Sequence, residues 1–435
     1  MTAALGGVLV LAGLLGNEWL IRAALMPEFR LSPAGRTGWL IIELLLLGWG
    51  VLCLLRRRNP RLQRLNRWLV LLALALPLVL EGLLRLGIAL EIERFRDPGL
   101  YADWSSEDEY WRLLWHWNPT GQAPGGAALP AAGEVHPRLG WVPPRSQDNP
   151  LGIIGYDPAR TGHASAPVLF LGDSFVAGID SGSSLPALLD QRLPGRVVHN
   201  LGVGGYGLGQ ILLRLGAALQ AFESPAVLVG VLTTDLDRSV LTVRTGPKPH
   251  FVLQGDELEL RGVPVPADPH AWLRANPPQT SSFLLAWLTR RFRGLAAGGD
   301  PLAAAHRREE KQQLNARVLD EIADECRKAG APLGFVIFHT LGELDRPGWR
   351  VRFLRRELAR RGLPFVDTLK ALRAGGQARE QYDPQHQHLT PEGTRRVAEA
   401  IVEDFGWLRG TADQEGAPPE PPPPPPPEPP PLPEP

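Results

Sequence analysis

FLGDSFVAG, residues 170–178, carries an apolar run into a Gly-Asp-Ser turn followed by small residues. With the two residues before it, VLFLGD (168–173) reads as a short buried strand that stops at a turn. Ser174 then stands at a strand end. A serine in that place is either a nucleophile or the hydroxyl of an ordinary turn, and the neighbouring elements separate the two readings.

Working outward, SSLPALLDQRL (183–193) predicts a helix and GRVVHNLG (195–202) a second strand. GQILLRLGAALQAF (209–222) is amphipathic, and AVLVGVL (226–232) is a continuous apolar strand. APLGFVIF (331–338) and LPFVDT (363–368) predict two more strands, with an arginine-rich helix between them. TPEGTRRVAEAIVEDF (390–405) predicts a closing helix, with Thr390 as its cap and Pro391 in its first position. Short apolar strands alternating with helices imply an α/β fold, a parallel sheet covered by helices on both faces. Ligand sites in such sheets form beyond the carboxyl ends of the strands, where Ser174 falls.

The 435 residues exceed one average domain, and the formal net charge of zero gives no electrostatic footprint for nucleic acid. The two cysteines, Cys53 and Cys326, make neither a disulfide framework nor a C-x-x-C metal motif. No metal and no cofactor is expected. Lysine occurs only at 248, 311, 328 and 370 while arginine is abundant, a usage that suggests a GC-rich bacterial genome.

Hydropathy is uneven along the chain. Residues 1–92 read as a membrane anchor of about three transmembrane helices, at 3–25, 38–55 and 68–90, the first weakened by Asn17, Glu18 and Arg22. RRRNPRLQRLNR (56–67) holds six arginines in a short loop, which places that loop in the cytoplasm and everything after residue 91 outside. Glu81 and Arg85 are four apart and can pair, as a site between helices or as a snorkelling pair near the interface.

Residues 93–134 read as a juxtamembrane segment and linker. Trp104, Trp111, Trp115 and Trp117 suit either a membrane interface or packing against the domain. The soluble domain spans 135–410 with an insertion at about 240–330, where HFVLQGDELELRGVPVP (250–266) reads as a hairpin turning at Gly255-Asp256 and SSFLLAWLTRRFRGL (281–295) as an apolar helix. Residues 411–435 form a disordered Pro-rich tail of polyproline II character, a spacer or a ligand for a Pro-binding partner.

A serine nucleophile needs a base, a group that orients the base, and donors for the oxyanion. A base is on offer in YDPQHQHLTPEG (382–393). GDSF with this late Asp/His block resembles the SGNH or GDSL hydrolase family, esterases and acyltransferases on a flavodoxin-like sheet. The resemblance covers roughly residues 135–407, and HPRLGW (136–141) with NPLGIIGYD (149–157) is similar to the lead-in of membrane-anchored bacterial members.

The resemblance implies Ser174 as nucleophile and first oxyanion donor through its N–H. In NLGVGGY (200–206), Gly205 matches the second donor. In VLVGVLTTDLD (227–237, read from the middle strand onward), Thr234 stands in the place of the family's Asn, a shorter and differently aimed donor. Asp383-Pro384-Gln385-His386 fits an Asp-x-x-His spacing, whereas the LTPEG after His388 is the usual sequel of the catalytic histidine. His388 and His386 both stay open as the base, with Asp383 as orienter. The other histidines lack ligand spacing, and His339, at a strand end, is a further candidate to line the site.

The expected function is therefore a serine ester hydrolase or O-acyltransferase of the bacterial inner membrane, its soluble domain periplasmic. Its expected partners are the lipid bilayer and an envelope polysaccharide or lipid substrate, with no nucleic acid. The alternative is a weakened member of the fold that binds glycan or scaffolds an envelope assembly.

Overall fold

A computed structural model of the chain describes residues 2–18, 20, 33–118, 133–161, 167–178, 183–293, 308–374, 376–384 and 387–408. His386, the Pro-rich tail and residues 119–132 of the expected linker lie outside the described residues.

Two short antiparallel pairs flank a central sheet. β1 (Glu134–His136) pairs with β2 (Gly140–Val142). β6 (His250–Gln254) pairs with β7 (Glu257–Arg261) through the turn at Gly255, where φ is +63°. The sheet consists of β3 (Val168–Gly172), β4 (Val198–Gly202), β5 (Ala226–Leu232), β8 (Leu333–Phe338) and β9 (Phe365–Asp367). Its order is β4-β3-β5-β8-β9, and every pairing is parallel. Counted in chain order within the sheet, this is 2-1-3-4-5, the flavodoxin-like arrangement. The order reverses between β3 and β5, so a crevice opens at their carboxyl ends.

Alternation along the strands builds two cores. Leu169, Leu171, Val227, Val229, Phe335 and Ile337 face one layer of helices. Val168, Phe170, Leu228, Val336 and Phe338 face the other. All seven residues of β5 are buried, as a central strand covered on both faces requires. Each buried Val or Leu contributes roughly 1.5–3 kcal/mol relative to exposure.

Local signals end the elements where expected. Ser184 caps the helix Leu185–Arg192, and Thr390 Oγ1 accepts from Gly393 N–H at 3.1 Å to cap Pro391–Asp404.

At the N-terminus, the helices Pro33–Leu55 and Pro60–Ala89 are long and apolar enough to cross a membrane. The helix Thr2–Leu15 has only 14 residues, about 21 Å, and falls short of a span. Residues 21–25 of the expected first span over 3–25 lie outside the described residues. The helix ends where Gly16 O accepts from Trp39 Nε1 (2.7 Å) and Glu18 pairs with Arg36 (2.7 Å), so the polar run at 17–18 meets its partners there. Thr2–Leu15 packs closely on Pro33–Leu55 through glycines. A Cβ at Gly6 would lie 2.9 Å from Gly50 O.

The segment after the helix Pro60–Ala89 is packed structure up to residue 118. The helix Asp108–Trp117 buries Trp111, Trp115 and Trp117. Trp111 and Trp115 pack with Leu241 and Val243, and Trp117 packs with Tyr101 and Phe283. Of the two readings of these tryptophans, packing against the domain holds for all three, and Trp104 alone stays substantially exposed.

Candidate active site

Ser174 opens the one-turn helix Ser174–Ala177 directly beyond β3. That helix lies tight on the strand ends because glycines admit it. A Cβ at Gly172 would meet Val176 Cγ2 at 2.4 Å, and one at Gly202 would meet Ala177 N at 2.3 Å. Asp173 caps the turn, its carboxylate accepting from Phe175 N–H at 2.9 Å. Asn200 Nδ2 donates to Ala177 O at 3.0 Å and so ties β4 to the same turn.

The loop 381–390 delivers His388. Tyr382 and Leu389 form an antiparallel bridge, Asp383 N–H donates to His388 O (2.7 Å), and Gln387 N–H donates to Asp383 O (2.8 Å). Gln387 adopts a left-handed φ of +57°, a conformation that costs a non-glycine residue about 1 kcal/mol and that this loop over-determines. His388 Nε2 lies 2.9 Å from Ser174 Oγ, and its ring leans on Phe175 at 5.0 Å. A serine hydroxyl and an imidazole at that distance can pass a proton.

The resemblance implied three oxyanion donors, the N–H groups of Ser174 and Gly205 and the Thr234 hydroxyl. Among the described residues, neither Ser174 N–H nor Gly205 N–H has a protein acceptor. Gly205 sits in a turn at φ +83°, held by Trp141 Nε1 donating to Gly204 O at 3.0 Å. Thr234 follows β5 at the crevice, and its Oγ1 is buried without a hydrogen-bond partner.

A pocket of about 600 Å³ contains Ser174, Thr234 and His388, together with Trp104, Arg238 and Arg244. A larger groove, about 820 Å³, is lined by His136, Arg145, Glu257 and Arg317 and includes none of these groups. Chemistry rather than size selects the smaller one.

Beneath the pocket lies a buried ion network. Arg238 Nη1 donates to Asp173 at 2.8 Å and to Asp235 at 2.6 Å. Burial, reinforced by Asp173, pushes the Asp235 carboxyl well above its ordinary value, against the pull of Arg238. For Arg238, burial works against the charge, but Asp235 and Asp173 outweigh it and hold the guanidinium above its usual range. Asp237 binds Lys311 (2.7 Å) and Arg350.

His339 departs from expectation. It is fully buried, its Nε2 is 2.8 Å from Asp367, and Arg355 holds the other Asp367 oxygen, so it braces β8 against β9 rather than lining the site. Sequence reading also missed Trp104, Arg238 and Arg244 as pocket residues. Trp104 stood out by type, but nothing in its neighbours signalled that a residue before the domain reaches the pocket.

Solved structures resemble the chain at low identity. They include a lipolytic G-D-S-L family protein of Veillonella parvula DSM 2008, 13% identical over 56% of this chain and 100% of that one, with a TM-score of 0.34. LAE5, an alpha/beta hydrolase from the metagenome of Lake Arreo, is 16% identical over 57% and 98% of the two chains, with a TM-score of 0.35. The psychrotrophic esterase EstA of Pseudoalteromonas sp. is 14% identical over 56% and 99%, with a TM-score of 0.33. No curated protein matches the chain in sequence. Residues 170–396, more than half of the chain, match the GDSL-like lipase/acylhydrolase family, with Ser174 at the start of the match and His388 near its end. The chain belongs to that family.

Proposed function

We propose that the chain is a membrane-anchored serine ester hydrolase or O-acyltransferase whose pocket faces the extracytoplasmic side. The observation that carries the proposal is the 2.9 Å approach of His388 Nε2 to Ser174 Oγ inside a pocket lined with unmatched donors.

In this mechanism Ser174 Oγ attacks the ester carbonyl while His388 takes the hydroxyl proton. The negative charge that develops on the carbonyl oxygen is met by the N–H groups of Ser174 and Gly205 and by the Thr234 hydroxyl. His388, now an imidazolium oriented by Asp383, returns its proton to the leaving alcohol as the C–O bond breaks. The acyl group stays on Ser174. Water or an acceptor hydroxyl then attacks that ester, again deprotonated by His388, and the serine is regenerated.

The anchor supports the choice of side. Residues 68–89 of the helix Pro60–Ala89 reach about 33 Å, enough for the hydrocarbon core. Arg61, Arg64 and Arg67 mark one end, while Glu81 and Arg85 meet the soluble domain at the other. The arginine-rich end belongs in the cytoplasm and the pocket on the opposite side, where esters of envelope glycans or lipids are the substrates within reach.

A fluorophosphonate probe tests the reading. It should label the full chain in detergent and spare Ser174→Ala. Equal labelling of both would remove Ser174 from the chemistry.

A further inference from the structure

Three buried side-chain polar atoms without a partner belong to residues that line the pocket: Thr234 Oγ1, Arg238 Nε and Arg244 Nε. All three can donate. The carboxylate that also lines the pocket, Asp103, is already held by Arg290 and Ser105, so these unmatched donors suit an oxygen-rich, negatively charged group.

Arg244 is the member whose charge lacks a counterpart. Arg238 has Asp173 and Asp235, and Arg350 has Asp237. Among the described residues Arg244 makes no ion pair. Its Nη1 donates only to Thr245 Oγ1 at 3.2 Å. Its place is nevertheless firmly held. The guanidinium carbon lies 4.8 Å from the centre of the Trp111 ring, Trp115 Nε1 donates to Arg244 O at 2.6 Å, and Arg244 N–H donates to Gly246 O at 3.0 Å. The other face lies on the Gly205 turn so closely that a Cβ at Gly205 would fall 1.6 Å from Nη1. Burial, with Arg238 close by, pushes the guanidinium down to about 9, against the weaker pull of Asp173 and Asp235. A half-buried cation kept in that condition gains when an anion arrives.

We infer that Arg244 is a specificity residue that binds a fixed carboxylate or phosphoryl group on the substrate, next to the ester that Ser174 attacks. The inference rests on the esterase reading for its ester, though not for its anion site. The guanidinium fork matches the paired oxygens of a carboxylate or phosphate, and the Gly205 turn sets that anion beside the reacting carbonyl. Trp104, whose ring centre lies 5.8 Å from the Arg238 guanidinium carbon, lines the same pocket. A uronate sugar and a glycerophosphoryl headgroup present the same oxygen pair, and the experiment separates them.

Calorimetric titration of the full chain in detergent micelles with sodium glucuronate and with glycerol 1-phosphate, each against glucose and glycerol, reads the site directly. At least one anion should bind saturably and the neutral compounds should not. The anion that binds more tightly names the source. Arg244→Gln should weaken that binding about tenfold or more. Arg244→Lys keeps the charge but loses the fork, should bind at least about threefold more weakly, and carries the test if the Gln variant does not fold. Anions that bind no better than the neutral compounds, or variants that bind like the wild type, would overturn the inference. Fluorophosphonate labelling on the same samples separates the two readings. Labelling lost with anion binding kept sinks the esterase alone, and the reverse sinks the anion site alone.

Discussion

Arg238 Nη1 donates to the Asp173 carboxylate at 2.8 Å, joining the residue before the serine to the first turn after β5. The same nitrogen also holds Asp235, so one cation serves two fully buried carboxylates. Removing the cation leaves both without their ion-pair partner. Arg238→Met should cost about 3–5 kcal/mol, read as a lowered denaturation midpoint in detergent. A loss below about 1 kcal/mol would mean that the network adds little to the fold.

The proton relay gives a second expectation. His388→Ala should lower kcat by about 10³-fold or more while leaving KM close to that of the wild type. His386→Ala should change kcat by less than about tenfold. A reversal of the two effects would transfer the role of base to His386.

Thr234 carries a double readout. Its hydroxyl is buried and unpartnered at rest, so Thr234→Val should leave thermal stability unchanged or slightly raised. If the hydroxyl meets the oxyanion, kcat should still fall about 10²-fold with KM unchanged. A variant with undiminished kcat would exclude Thr234 from the oxyanion site.

Stability should also depend on pH through His199, packed 4.6 Å from the Phe222 ring with its Nε2 buried and unpartnered. Burial lowers its value from 6.5 to about 4, opposed only in part by Asp190. Between these values the unfolded chain binds the proton and the folded chain does not. Stability is therefore complete above 6.5, declines as pH falls toward 4, and loses roughly 3 kcal/mol in all at most. His199→Phe should flatten this decline in melting curves recorded from pH 7 to pH 4. Parallel curves for variant and wild type would assign the acid loss to other groups.

Glu81 couples the helix Pro60–Ala89 to the domain. Its carboxylate accepts from Leu284 N–H (2.8 Å) and Ser282 Oγ (3.0 Å) at the start of the helix Phe283–Arg293, while Arg85 donates to Ser281 O (2.7 Å). Glu81→Ala should remove about 1 kcal/mol of capping and expose the 276–283 segment to limited proteolysis. Unchanged cleavage would show the contact to be dispensable. Of the two readings offered for Glu81 and Arg85, this contact places the pair at the domain-facing end of the helix, with polar partners from the insertion.

Much of the fold was legible because its signals are local. Val168–Gly172 and Ala226–Leu232 announce themselves as unbroken apolar runs, and Thr390-Pro391 announces a helix start in two residues. The hairpin turn at Gly255 needed only a glycine able to take a positive φ. The candidate site was legible in part, through Ser174 at a strand end and a histidine-bearing loop before the last helix. Trp104 and Arg244 were not, since their places depend on how the segment after the helix Pro60–Ala89 folds back over the crevice. His339 misled for a related reason. A strand end is a promising address, but the imidazole faces Asp367 on the neighbouring strand instead of the pocket.

The order of strands and helices, the two-faced alternation of the sheet and the position of Ser174 follow from periodicity and caps, which act over a few residues. Only the tertiary structure brings His388 across 214 residues to 2.9 Å from Ser174 and sets Arg238 between Asp173 and Asp235. Strand order decides such distances, because parallel pairing of β3 beside β5 converges chain ends that no local propensity relates. The unpaired charge of Arg244 belongs to the same level, since a side chain lacks a partner only with respect to everything packed around it.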